Sequence, residues 1–162
     1  MKIAIILGSK SDVPAMKNAT IVLKELEIPY LMQVMSAHRA PDVVEDFAKN
    51  ASKNGFSVLI AGAGAAAALP GVLASHTHLP VIGVPLDATS LLGLDALFAI
   101  AQMPGGVPVA TTGIGPSGAK NAALLAARML ALNNPHLQEK LISLMQKNRE
   151  KSLENNVIET YL

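Results

Sequence analysis

Short apolar runs alternate with amphipathic segments along most of the chain. The first run, Lys2 to Leu7, is rich in β-branched residues and ends at Gly8, and apolar residues then recur at helical spacing from Val13 to Leu26. The same alternation predicts four further strand and helix pairs: strands at 30–35, 57–61, 80–84 and 107–111, and helices at 41–52, 69–76, 90–101 and 118–132.

Five successive strand–helix units indicate an α/β fold with a parallel sheet and right-handed crossovers. We therefore predict a three-layer sandwich of flavodoxin-like or Rossmann-like type, in which five parallel strands lie in the order 2-1-3-4-5. Strands that helices cover on both faces have continuous apolar sequences, and most of these runs have this character.

A sixth amphipathic segment follows Asn133-Asn134-Pro135 and predicts an additional C-terminal helix over about 136–154. We expect residues 1–133 to form the α/β domain, and residues 134–162 to belong to it or to pack on a neighbouring subunit. The end of the chain is apolar, which predicts that it docks on a neighbouring subunit. An intramolecular clasp or a frayed end is the alternative. The apolar residues concerned are Val157, Ile158, Tyr161 and Leu162.

Composition excludes several classes of function. The 13 Lys and Arg residues nearly balance the 12 Asp and Glu residues, and aromatic residues make up only 3% of the chain. Neither a basic surface nor stacking platforms are therefore expected, so we predict no nucleic-acid partner. The absence of cysteine rules out disulfides, thiolate metal sites and cysteine nucleophiles.

The long uncharged stretch 54–86 raises the question of a membrane span. Pro70, Pro80 and Pro85 break it into pieces too short to cross a bilayer as a helix, so buried strands explain it better. The apolar run at the N-terminus is too short for a signal peptide. We expect a cytoplasmic protein with no membrane association.

The turn that follows the second predicted strand carries the strongest candidate for chemistry, His38 in the hexapeptide 36–41. A histidine can accept and return a proton near neutral pH, and Arg39 beside it can hold an anionic substrate. A surface histidine next to a helix-capping arginine is the alternative interpretation.

Two other loops are predicted to meet this turn, because loops after strands 1, 2 and 3 surround the switch point of such a sheet. The loop at 8–12 offers the hydroxyls of Ser9 and Ser11 to a phosphate and the carboxylate of Asp12 to sugar hydroxyls, although Asp12 can equally cap the helix. The loop at 62–71 brings a backbone of small residues to the same cleft.

Two nucleotide-binding motifs are matched only in part. Residues 62–67 fit the dinucleotide pattern G-x-G-x-x-A, and Asp87 follows at a suitable distance, but the pattern belongs on a first strand and needs a longer helix behind it. Residues 113–121 resemble a phosphate-binding P-loop with the lysine one position late. These departures favour a site without a nicotinamide cofactor or ATP, which binds a small phosphorylated ligand.

Six ordered sequence blocks resemble the 5-(carboxyamino)imidazole ribonucleotide mutase family of purine biosynthesis, also called the catalytic subunit of phosphoribosylaminoimidazole carboxylase. They cover roughly the first 130 residues and are Gly-Ser-Lys-Ser-Asp (8–12), Ser-Ala-His-Arg-Ala-Pro (36–41), Ala-Gly-Ala-Gly (61–64), Leu-Pro-Gly (69–71), Leu-Pro-Val-Ile-Gly-Val-Pro (79–85) and Gln-Met-Pro-Gly-Gly-Val-Pro-Val-Ala (102–110).

The resemblance implies an isomerase that moves a carboxylate from the exocyclic nitrogen to C4 of the imidazole, through decarboxylation and recarboxylation. It implies no cofactor and no metal, His38 as the proton carrier, and a homo-octamer. The phosphoribosyl-imidazole substrate is expected to contact ten further residues: Ser9, Ser11, Asp12, Ser36, Ala37, Arg39, Gly64, Ala65, Ala68 and Leu69.

The chain departs from the family pattern at two positions. Ala68 stands where members commonly carry a histidine before Leu-Pro-Gly, and Ala65 where glycine is frequent. Related enzymes that carboxylate aminoimidazole ribonucleotide with free carbon dioxide share Ser-Ala-His but lack the following Arg-x-Pro and Leu-Pro-Gly. Arg39, Pro41 and Leu69-Pro70-Gly71 therefore favour the mutase. Direct carboxylation and a non-catalytic nucleotide-binding module are the alternatives.

Overall fold

Strands and helices alternate along residues 1–154, which are the residues that this computed structural model describes. Within them the strands are β1 (Lys2–Leu7), β2 (Tyr30–Val34), β3 (Phe56–Gly64), β4 (Val81–Leu86) and β5 (Ala110–Thr111). The helices are α1 (Val13–Glu25), α2 (Pro41–Asn50), α3 (Ala68–His76), α4 (Leu94–Ala101), α5 (Gly115–Ala131) and α6 (Pro135–Leu153). One 3₁₀ turn, Lys10–Asp12, precedes α1.

The strands form one parallel sheet in the order β2-β1-β3-β4-β5, which confirms the predicted topology. Successive side chains of a strand point to opposite faces, so each apolar strand supplies two cores. In β1, Ile3 and Ile5 pack with α1, α5 and α6 on one face, whereas Ala4 and Ile6 pack with α2, α3 and α4 on the other. The molecule is therefore the predicted three-layer sandwich.

β5 is shorter than the predicted strand at 107–111. The Val107 N–H donates to the Pro104 carbonyl (3.3 Å) and closes a turn, and Pro108 has no N–H to offer a neighbouring strand. Pairing with β4 begins only at Ala110. The predicted start of this strand, residue 107, was therefore wrong, because the proline and the preceding turn outweigh the apolar character of the segment.

α4 also starts later than predicted, at Leu94 rather than at residue 90. Leu92 and Gly93 have φ angles of 53° and 85°, which lie in the left-handed region and are incompatible with a right-handed helix. The remaining predicted elements differ from the structure by no more than three residues at either end. None of the helices in the described part of the chain is long and apolar enough to span a bilayer.

α6 packs on the rest of its own chain through one apolar stripe. Leu137 and Leu141 are buried against the α1 and α5 layer. Ion pairs flank them, from Lys140 Nζ to Glu27 Oε2 (2.7 Å) and from Lys147 Nζ to Glu25 Oε1 (3.3 Å). The apolar tail for which we predict docking lies outside the described residues.

Candidate active site

The carboxyl ends of three adjacent strands meet at one edge of the sheet. Leu7, at the end of β1, pairs with Val34 of β2 on one side and with Gly62 of β3 on the other. Backbone bonds continue this alignment, because Met35 N donates to Leu7 O (2.8 Å) and Gly8 N donates to Gly62 O (3.4 Å). The loops after β1, β2 and β3 therefore leave the sheet side by side.

A cleft of about 200 Å³ lies between these loops. The structure brings together in it all of the residues for which the sequence predicts a role: Ser9, Ser11, Asp12, Ser36, Ala37, His38, Arg39, Gly64, Ala65, Ala68 and Leu69. The cleft is also lined by Gly8, Ala63 and Ala67, which belong to the loops that the sequence predicts there, and by Ala88, which sequence reasoning missed. Ala88 follows β4, and the position of β4 next to β3 was the signal that could have found it.

The first loop is held by a reciprocal cap at the start of the 3₁₀ turn. The Ser9 N–H donates to Asp12 Oδ2 (2.9 Å), and the Ser11 N–H donates back to Ser9 Oγ (3.3 Å). The Ser11 hydroxyl also donates to Ser9 Oγ (2.8 Å). Asp12 thus caps this turn, as the alternative interpretation held, while it also lines the cleft.

Burial controls the ionisation of Asp12, which is only 9% exposed. Desolvation raises the pKa of its carboxyl, while hydrogen bonds from the Ser9 N–H, the Ser11 hydroxyl and the Gly8 N–H oppose the rise. A group whose pKa is higher in the folded than in the unfolded protein contributes stability below its unfolded pKa and loses it as pH rises through the folded pKa. Ionised Asp12 therefore lowers the free energy of unfolding at neutral pH.

An Asp12→Asn variant tests this assignment, because asparagine keeps an oxygen for the Ser9 N–H but removes the titrating group. We expect the free energy of unfolding of the wild type, relative to Asp12→Asn, to fall as pH rises from about 4 to about 7. Urea unfolding of both proteins across this range measures the difference. A constant difference, or one that grows in favour of the wild type, would contradict the raised pKa.

The second loop turns sharply between β2 and α2. The N–H groups of Arg39 and Ala40 both donate to the Ser36 carbonyl (3.3 and 2.9 Å), and Pro41 then begins α2. Arg39 Nε donates to Ser36 Oγ (3.3 Å), which uses one of the five guanidinium N–H groups and leaves four for a ligand. His38 and Arg39 are both exposed to solvent at the cleft.

The third loop, which follows β3, lines the cleft with the backbone of Gly64 and with alanine residues. Gly64 approaches the loop after β4 so closely that a Cβ on it would lie 2.4 Å from the Ala88 Cβ. The Ala67 N–H donates to the Gly64 carbonyl (3.0 Å), and α3 then starts at Ala68. This α3 has nine residues and follows the central strand β3, so the arrangement departs from a dinucleotide-binding unit, as predicted.

Comparison with known proteins assigns the chain to a family. A sequence profile of the family described as AIR carboxylase matches residues 2–151. A Haemophilus influenzae protein named N5-carboxyaminoimidazole ribonucleotide mutase is 55% identical over 80% of this chain and 79% of its own length. A Thermotoga maritima protein of the same name is 50% identical over 94% of this chain and 88% of its own. The chain belongs to the AIR carboxylase family.

Solved structures support the same assignment. The crystal structure of Treponema denticola PurE matches this AIR carboxylase chain with a TM-score of 0.86 and 28% sequence identity, and the match covers 96% of each chain. The family predicted from the six sequence blocks and the fold predicted from the apolar pattern are thereby confirmed.

The two positions at which we expect this AIR carboxylase chain to depart from the family pattern, Ala65 and Ala68, both line the cleft. Ala68 is half-buried at the start of α3 and presents only a methyl group, so its side chain cannot hydrogen-bond a ligand. Ala65 is exposed and has a φ of 53°, and Ala67 has a φ of 43°. Such left-handed conformations cost a residue with a Cβ about 1–2 kcal/mol.

An Ala65→Gly variant is expected to be more stable than the wild type by about 0.5–1 kcal/mol, since relief of the left-handed strain outweighs the greater entropy of glycine in the unfolded chain. Ala66→Gly is the matched control, because Ala66 is equally exposed but lacks a positive φ, so glycine there lowers stability. Urea unfolding midpoints measure both changes. If the two variants shifted the midpoint in the same direction, Ala65 would not be strained.

Proposed function

We propose that this protein is an N5-carboxyaminoimidazole ribonucleotide mutase. The observation that carries the proposal is that His38, Arg39 and the loops after β1 and β3 line one cleft, in a chain that is 46–55% identical to relatives bearing that name. The activity is an isomerisation in purine biosynthesis, in which a carboxylate passes from the exocyclic nitrogen to C4 of the imidazole ring.

The phosphate of the substrate binds at the β2 side of the cleft. Arg39 supplies the positive charge and free N–H groups for charge-assisted bonds, and its Nε contact with Ser36 orients the guanidinium. The Ser9 hydroxyl, which accepts the Ser11 proton and keeps its own, adds a neutral donor beside the 3₁₀ turn, and the Ser11 hydroxyl adds a second when it rotates from Ser9 to the phosphate. Asp12 is unsuited to contact the phosphate because two anions would repel, so it faces the sugar.

His38 moves the proton that the isomerisation requires. As the bond between the exocyclic nitrogen and the carboxyl carbon breaks, its electron pair stays on nitrogen, which takes a proton, and carbon dioxide is released within the cleft. C4 then forms a bond to carbon dioxide and loses its own proton. One imidazole that gives a proton to nitrogen and later takes one from C4 balances the reaction.

The third loop is suited to hold the released carbon dioxide. Methyl groups of Ala65, Ala67 and Ala68 line this part of the cleft, next to the backbone of Gly64. A small apolar molecule gains from such a wall because less of its surface faces water. Carbon dioxide that is held next to the imidazole ring has a high effective concentration at C4, and this favours recarboxylation over loss to solvent.

A turnover assay tests the proposed function. Purified protein is mixed with N5-carboxyaminoimidazole ribonucleotide without ATP or added metal, and formation of the 4-carboxy isomer is followed. Conversion above the spontaneous rate supports the mutase, whereas absence of conversion rejects it. Dependence on added bicarbonate with aminoimidazole ribonucleotide as substrate would instead identify a direct carboxylase, and tight binding without turnover a nucleotide-binding module.

The same proposal includes a homo-octameric assembly in the cytoplasm, as the family resemblance implies. Support comes from apolar side chains that are exposed on the loop before α4 and on α4 itself: Leu91, Leu92, Leu94 and Phe98. Several exposed apolar side chains within one short segment are typical of subunit contacts. Light scattering of the purified protein measures the subunit number.

A further inference from the structure

A second cavity continues the cleft beyond Asp12. It has a volume of about 220 Å³ and shares Ser11, Asp12 and Ala88 with the cleft. Its other lining residues are Ala15 of α1, and Leu86 and Asp87 at the end of β4. A ligand in the cleft can therefore extend past Asp12 toward the loop after β4.

Asp87 is the charged residue that this extension adds. The Ala88 N–H donates to the Leu86 carbonyl (3.0 Å), so Asp87 is the central residue of a tight three-residue turn. This turn fixes the position of the Asp87 Cα and Cβ. Its side chain is exposed, and none of the ion pairs in residues 1–154 involves it. Its carboxylate oxygens are thus available to accept hydrogen bonds from a ligand.

Charge is distributed unevenly along this edge of the sheet. Arg39 lies at the β2 side, whereas the carboxylates of Asp12 and Asp87 line the cavity that leads to β4. A phosphate is attracted to the first region and repelled from the second. Hydroxyl groups suit the second region, because a carboxylate accepts hydrogen bonds and has no proton to donate when ionised.

We propose that Asp87 binds the vicinal hydroxyls of the substrate's ribose in this second cavity, and so selects ribonucleotides over deoxyribonucleotides. The proposal rests on the proposed function for the phosphoribosyl character of the substrate. The spatial order of charges matches such a ligand, with its phosphate at Arg39 and its diol at Asp12 and Asp87. Asp87 then fixes which end of the ligand points toward β4.

Binding of two simple sugar phosphates tests this role without any need for turnover. The probes are ribose 5-phosphate and 2-deoxyribose 5-phosphate, titrated into the wild type, Asp87→Ala and Asp87→Asn. Glu139→Gln is the matched control, since it removes an exposed carboxylate of α6 that lines neither cavity. Circular dichroism verifies that each variant is folded.

The wild type and Glu139→Gln are expected to bind ribose 5-phosphate at least about tenfold more tightly than 2-deoxyribose 5-phosphate. This is the factor that a hydrogen bond to a charged group provides. Asp87→Ala should lose most of this preference, with the remainder due to Asp12, and Asp87→Asn should keep more of it than Asp87→Ala. An unchanged preference in Asp87→Ala overturns the proposal. Tighter binding of both probes by Asp87→Ala also overturns it, because it would show that Asp87 merely repels the phosphate.

Turnover separates this proposal from the proposed function. If the wild type isomerises N5-carboxyaminoimidazole ribonucleotide but Asp87→Ala keeps the sugar preference, the role of Asp87 fails and the mutase stands. If the preference depends on Asp87 but the wild type shows no isomerisation, the diol site stands and the mutase fails.

Discussion

A His38→Asn variant is expected to lose about 10²- to 10⁴-fold in kcat, which is the usual contribution of a positioned general acid and base. Asparagine is similar in size but cannot accept and return a proton near neutral pH. KM should change little, because Arg39 and the first loop hold the substrate. Steady-state kinetics with N5-carboxyaminoimidazole ribonucleotide measure both constants.

His78→Asn is the control for this experiment. His78 is also exposed, but it lies before β4 and lines a different cavity, with Thr77, Pro80 and Pro108. We expect its kcat to equal that of the wild type. Full activity of His38→Asn would remove the proton carrier from the proposed mechanism, and equal losses in both variants would point to a general effect on the fold.

The apolar pattern predicts the sheet well because these strands are covered on both faces. In β1 and β4, every residue from Ile3 to Leu7 and from Val81 to Leu86 is buried, so the sequence runs are continuous and bounded by polar or turn residues. β2 lies at an edge of the sheet and exposes Leu31 and Val34, yet its β-branched and aromatic residues still identify it.

Prediction failed where local backbone chemistry decides the outcome. Val107 and Val109 favour a strand, but Pro108 between them lacks an N–H and the preceding glycines favour a turn. The start of α4 depends on positive φ angles at Leu92 and Gly93, and a leucine in that conformation has no signal in the sequence. Gly93 suits its own conformation, and it also leaves room for Ile114, whose Cγ2 would lie 2.7 Å from a Cβ at this position.

The cleft was predictable to the extent that its residues follow strands with polar or glycine-rich turns. Ser9 and His38 lie in the turns that follow apolar runs, and the strand order then places their loops together. Ala88 has no reactive group, so only its location after β4 brings it into the cleft. In the sequence Asp87 fits only the partial dinucleotide pattern, whereas in the structure it lines the cavity next to the cleft.

Gly64→Ala is expected to reduce kcat/KM by about 100-fold, the scale on which a misplacement of about 1 Å affects catalysis. A Cβ on Gly64 would lie 2.4 Å from the Ala88 Cβ and 3.1 Å from the Leu86 carbonyl oxygen, so the loop after β3 must move away from the loop after β4. That movement displaces the wall of the cleft. The free energy of unfolding should also fall by about 1–3 kcal/mol, as for other overpacked sites.

Gly62→Ala separates the effect on the cleft from the effect on stability. Its Cβ would lie 2.7 Å from Met16 Sδ, at the far end of a flexible side chain in the core, and Gly62 does not line the cleft. We expect it to lower stability while kcat/KM stays near the wild-type value. Adding Ala88→Gly to Gly64→Ala removes the 2.4 Å contact and should restore part of the activity. If the double variant were no more active than Gly64→Ala, or if Gly62→Ala lost as much activity, the close approach of Gly64 to Ala88 would not be what shapes the site.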